Sequence, residues 1–140
     1  MKVRVEKVRG MNFAAHAVRD AGENPRVAVS ASPDIGGGDG ARPMEMVLMG
    51  LGGCTAIDVG IILGKSRQVL TDLSIDISAE RADAHPAVFT RIHLHYTLRG
   101  ENLERRKVAR ALSLSLEKYC SVTRMLAATA EITHDFEIAE

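Results

Sequence analysis

Residues 43–64 constrain this chain most: they form an almost continuous apolar run, broken by Glu45, Thr55 and Asp58 and diluted by five glycines. Proline suits the first turn of a helix, and Gly64 followed by Lys65 suits its end, so the run predicts one long helix over 43–64. Its length approaches a bilayer span. Two acidic residues, the glycines and the lack of a flanking Trp or Tyr girdle argue against the membrane. A helix apolar on nearly all sides is buried on nearly all sides, and a chain of 140 residues has little material to surround it. The economical solution is a homodimer with the helix inside.

The flanking segments alternate rather than run. Residues 2–8 set Val3 and Val5 against Arg4 and Glu6, and 11–18 and 26–30 are plausible antiparallel partners, giving an N-terminal β-meander over 1–31. Gly36, Gly37, Gly38 and Gly40 fall in a segment read as a mobile loop; no Lys-Ser/Thr follows, so it does not resemble a phosphate-binding loop. Residues 69–81 and 91–99 read as half-buried antiparallel strands. The second has Ile92, Leu94, Tyr96 and Leu98 on one face and Arg91, His93, His95, Thr97 and Arg99 on the other. A second helix follows with a stripe of Val108, Ala111, Leu112, Ser115, Leu116 and Tyr119, then a short helix over 121–128 and a closing strand with Ile132, His134, Phe136 and Ile138. Strands and second helix occupy 69–140. The expectation is one α+β domain over 1–140, with antiparallel sheets around a long buried central helix.

Composition excludes several function classes. Eighteen basic residues balance eighteen acidic ones and Trp is absent, leaving little to attract phosphates or stack bases, so neither nucleic acid nor a membrane surface is expected as a partner. The N-terminal residues alternate apolar with charged and contain no secretory core, which points to the cytoplasm. The two cysteines, Cys54 and Cys120, fit neither a disulfide framework nor a zinc-ligand spacing. His93 and His95 share a strand face without an implied third ligand, so no metal site is expected there.

Cys54 follows Gly52 and Gly53, where missing side chains permit a backbone or small ligand to approach closely. It is either a packed hydrophobe or a reactive thiol. Reactivity requires the thiolate, hence a cation or donor from outside the helix interior; Arg9, at a turn, is the first candidate. Asp58, four residues on, shares the Cys54 face, whereas Glu45, nine residues back, lies roughly opposite. An unpaired Asp58 opposes ionisation of the thiol unless it accepts a donor. Cys120 closes the second helix, where exposed backbone donors permit it to ionise or meet a second sulfur; a helix-end hydrophobe is the alternative.

The segments Pro43-Met44-Glu45-Met46-Val47-Leu48-Met49-Gly50-Leu51-Gly52-Gly53-Cys54-Thr55-Ala56-Ile57-Asp58-Val59 and Glu117-Lys118-Tyr119-Cys120-Ser121-Val122 resemble the OsmC/Ohr family, and within it the YhfA-like branch. The likeness covers essentially the whole chain. It implies an intertwined homodimer with sites at the subunit interface, and thiol-dependent reduction of organic hydroperoxides in oxidative-stress protection. Cys54 matches the attacking cysteine and Cys120 the resolving one, with an external dithiol as reductant and no cofactor. In peroxidase branches an arginine of the N-terminal hairpin and a glutamate directly after the motif proline clamp the thiolate. Here Met44 fills that slot, Glu45 comes one residue later, and Arg9 matches the arginine loosely. Met44, Leu51 and Asp58 are the candidate substrate-binding residues. Met44 and the Met-rich helix also suit an alternative: a noncatalytic redox sensor or binder of a small hydrophobic ligand on the same fold.

Overall fold

The computed structural model describes residues 1–140. Its contacts group into two units, Met1–Met49 and Gly50–Glu140.

In the first unit β1 (Val3–Arg9), β2 (Asn12–Ala17) and β3 (Arg26–Ser30) form an antiparallel sheet in chain order. Every residue of β1 is exposed, including Val3, Val5 and Val8. The glycine-rich segment is not the mobile loop its composition suggests. Ser30 Oγ accepts from the N–H groups of Gly38 and Gly40 and donates to the Gly40 carbonyl, while Asn12 spans the Gly36 carbonyl and the Asp39 N–H. These bonds pull the segment onto the sheet so closely that a Cβ on Gly40 would collide with the Ala28 backbone. The glycines therefore serve close approach.

Helix α1 (Pro43–Lys65) starts in this unit and runs into the second. Pro43 opens it, and Glu45 Oε1 accepts from the Arg42 N–H at 2.8 Å, the reach-back half of a capping box. At the far end Gln68 N–H bonds the Leu63 carbonyl and Arg67 N–H that of Gly64, with Arg67 at φ +59°. This is a Schellman stop with arginine where glycine is usual, so Gly64 lies inside the last turn and does not terminate the helix.

In the second unit two thirteen-residue strands, β4 (Val69–Arg81) and β5 (Phe89–Glu101), pair antiparallel, and β5 also pairs with β6 (Glu131–Ile138) in the order β4-β5-β6. The β5–β6 pairing is parallel, which corrects the expectation of purely antiparallel sheets. The cause is the connection: α2 (Arg105–Leu114), a wide π-turn over Ser115–Tyr119 and α3 (Ser121–Leu126) cross the sheet face and return the chain in the same direction. Ile92, Leu94, Tyr96 and Leu98 are buried with Val108, Ala111 and Leu112. Gly52 lets α1 sit close to this sheet; a Cβ there would come within 3.0 Å of Ile77 Cδ1.

Within one chain α1 is not buried on nearly all sides. Only Leu51, Thr55, Val59 and Leu63, one i, i+4 stripe, are buried, whereas Ile57 is 65% and Ile61 52% exposed. A single sheet can cover only one face of a helix whose apolar residues run all round. The second helical stripe is also cut short. Tyr119 is exposed and Cys120 takes the buried place, because the π-turn (Cys120 N–H to the Ser115 carbonyl, 2.7 Å) adds a residue to the last turn.

Candidate functional site

The buried stripe of α1 fixes Thr55 in the core, which leaves Cys54, one residue earlier, half-buried at its edge and Asp58 on the same side one turn later. From the other direction the π-turn delivers Cys120 as the residue that caps α3. Its Sγ accepts the Thr123 N–H at 3.4 Å and only 3% of the residue is exposed. The two sulfurs and a carboxylate oxygen of Asp58 consequently lie within 4.8 Å of one another, and both thiols are free.

A chain of hydroxyls supports the carboxylate. Ser115 Oγ donates to Asp58 Oδ2 at 3.0 Å, and Thr55 Oγ1 is 2.8 Å from both Ser115 Oγ and the Tyr96 hydroxyl. Because Ser115 spends its proton on Asp58, Thr55 must donate to Ser115 and Tyr96 to Thr55, so three protons point in sequence toward the carboxylate. Thr55, Ser115 and Tyr96 are each 0% exposed. Burial pushes the Tyr96 phenol up to about 12; the Thr55 bond opposes this, and charge at Cys120 and Asp58 adds to it, so Tyr96 remains a donor at neutral pH. Burial likewise pushes the Cys120 thiol up; the Thr123 N–H opposes it and the neighbouring Cys54 raises it further.

Of the residues singled out in the sequence, Cys54, Asp58 and Cys120 come together. Asp58 meets the condition set for it, accepting a donor in Ser115. Leu51 is fully buried in the α1 stripe and Met44 is half-buried in the first turn. Glu45 is engaged by the Arg42 N–H, and Arg9 donates to Asp39 Oδ2 at 2.8 Å. His93 and His95 both contact Asp135 Oδ1, at 2.9 and 2.8 Å, an arrangement on the open face of the sheet. Sequence reasoning placed Ser115 and Tyr96 in the core and passed over Thr55. The available signal was a hydroxyl at a core position of each of three elements.

Beside Asp58 opens a cavity of about 520 Å³, lined by Ile61, Ile62, Leu114 and Tyr119 together with Lys65, Ser66 and Arg110. The site thus offers one half-buried and one buried thiol, a carboxylate of fixed orientation and an adjacent space of mixed apolar and charged lining.

The profile of the OsmC-like protein family matches residues 36–135. Protein YhfA of Escherichia coli (strain K12) is 42% identical over 139 residues, covering 99% of this chain and 98% of that protein. Among solved structures, a structural-genomics protein superposes with a TM-score of 0.85 at 40% identity, covering 99% of this chain and 98% of its own. An organic hydroperoxide resistance protein OsmC from Legionella pneumophila shares the fold, with a TM-score of 0.68 at 12% identity over 97% of this chain and 95% of that one. The order of elements, the paired cysteine segments and a match spanning most of the chain agree: this protein belongs to the OsmC-like family, in its YhfA-like branch.

Proposed function

We propose that the protein is a thiol-dependent peroxidase that reduces organic hydroperoxides, with Cys54 as the attacking and Cys120 as the resolving cysteine. The observation that carries this reading is the approach of its two thiols to within 4.8 Å from segments remote in the chain, the more exposed one on α1 and the buried one at a helix cap. Greater access suits the nucleophile, and burial suits a thiol that needs to meet only its partner. That a Legionella pneumophila neighbour is named an organic hydroperoxide resistance protein supports this choice of substrate class.

In the proposed reaction the Cys54 thiolate attacks the terminal oxygen of the hydroperoxide. The O–O bond breaks, the alkoxide takes a proton and leaves as the alcohol, and Cys54 becomes a sulfenic acid. Cys120 attacks the sulfenyl sulfur and releases water, forming a disulfide. An external dithiol reduces that disulfide by exchange, and no cofactor enters. Asp58 lines the cavity that would accept the organic substituent; Met44 and Leu51 complete the proposed substrate-binding set. Holding the thiolate is assigned to the Arg9 guanidinium, which must leave Asp39 to do so, with Glu45 orienting it. The working unit is a cytoplasmic homodimer of single-domain chains, in which a partner covers the exposed apolar residues of α1 and β1.

Hydroperoxide consumption with a dithiol reductant tests this directly. Wild type is expected to turn over, Cys54→Ser to be inert, and Cys120→Ser to stop after one turnover. A second reading, noncatalytic binding of a small hydrophobic ligand, is favoured only by the apolar part of that cavity, Ile61, Ile62, Leu114 and Tyr119. A copurifying ligand without peroxide turnover would select it.

A further inference from the structure

Cys54, Asp58 and Cys120 offer two sulfurs and a carboxylate oxygen within 4.8 Å of one another. A tetrahedral zinc-class ion, with bonds of about 2.3 Å to sulfur and about 2.0 Å to oxygen, requires sulfur–sulfur and sulfur–oxygen separations of about 3.8 and 3.5 Å. The three donors are therefore at most about 1.0–1.3 Å from the spacing that closes on one ion. We infer that Cys54, Cys120 and Asp58 form a binding site for a thiophilic divalent cation of the zinc class, with water as the fourth ligand. Binding forms two metal–sulfur bonds and one metal–oxygen bond and releases the thiol protons; no electron moves.

The surroundings of both ends separate this cluster from a chance meeting of thiols. Asp58 is held by Ser115, which is itself held by Thr55 and Tyr96, and such outer hydrogen bonds orient a metal's carboxylate ligand. On the other side, Thr123, only 4% exposed, caps Cys120 Sγ through its N–H, and its side chain and backbone both favour the thiolate of Cys120, the form a metal ligand must take.

The inference goes beyond the peroxidase reading and can fail separately from it, because its test contains no peroxide. Reduced, metal-free protein is titrated with Co²⁺ alone under anaerobic conditions. The expected result is one ion per chain, with thiolate-to-metal charge-transfer absorption and the strong visible bands of a tetrahedral site, displaced by Zn²⁺. Asp58→Asn and Ser115→Ala should each weaken binding about tenfold or more while the charge-transfer bands persist at saturation. In wild type, Zn²⁺ should also slow alkylation of Cys54 by iodoacetamide, a readout that survives if a variant fails to fold. Absence of the charge-transfer bands, unchanged affinity in a folded Asp58→Asn variant, or alkylation indifferent to Zn²⁺ would each overturn the inference.

Discussion

Asp58 shows how one side chain's worth depends on the hydroxyls behind it. Thr55 makes two of these bonds, so Thr55→Val leaves the Tyr96 hydroxyl without a partner and Ser115 with Asp58 alone. An unsatisfied buried hydroxyl costs about 1–3 kcal/mol and a lost hydrogen bond about 1 kcal/mol, so Thr55→Val should lose about 2–4 kcal/mol in urea unfolding and Tyr96→Phe about 1 kcal/mol. Equal losses would contradict the double role of Thr55 in the network. The cysteines of this site were legible in the sequence because cysteine is scarce and their segments resemble a known family. The hydroxyls were not, because Ser115 and Tyr96 occupy positions that hydrophobic periodicity assigns to packing, and nothing in a one-dimensional pattern says which core hydroxyls will meet. The phase of an ideal helix did place Asp58 beside Cys54, since that relation is local.

At the scale of elements, the parallel pairing of β5 with β6 sets Asp135 against both His93 and His95. The hydrogen bond to Asp135 holds the His95 imidazole above its ordinary value of 6.5, and the histidines hold the Asp135 carboxyl below 3.8. His95 therefore favours folding most below pH 6.5 and loses that contribution as pH rises through its raised value. Asp135 contributes above pH 3.8 and loses it as pH falls through its lowered value. The pair is strongest between those two limits. In NMR titrations His95 should titrate above 6.5 and fall toward that value in Asp135→Asn; an unchanged midpoint would refute the coupling. The sequence could not foretell this contact, because the strand direction comes from the crossover and β6 alternates equally well either way. The π-turn was equally hidden: an ideal helix puts Tyr119 on the Ser115 face, and one inserted residue gives that place to Cys120. Arg67 is a third case, a left-handed stop without glycine. A left-handed residue costs about 1–2 kcal/mol, part of which glycine returns as unfolded-chain entropy, so Arg67→Gly should raise stability by about 0.5–1 kcal/mol.

For the molecule as a whole, the apolar run that dominates the sequence is only partly accounted for by one chain. Ile57 and Ile61 remain exposed on α1, as do Val3, Val5 and Val8 on β1. A second copy is the proposed cover. Sedimentation should therefore give a dimer for wild type and a folded or partly unfolded monomer for Ile57→Asp/Ile61→Asp; a wild-type monomer at micromolar concentration would contradict the assembly. The broad layout was legible at this scale, since strands, long helix, long hairpin, second helix and closing strand all occupy the stretches their periodicities indicate. What sequence could not supply was which sides of α1 one chain would cover.

If Cys54 and Cys120 act together as one redox centre, intact mass and non-reducing peptide mapping after one equivalent of cumene hydroperoxide will register it. Wild type should lose two hydrogens and give a peptide linked through Cys54 and Cys120, and Cys120→Ser should gain one oxygen on Cys54. Two unchanged thiols beside unconsumed peroxide would contradict it.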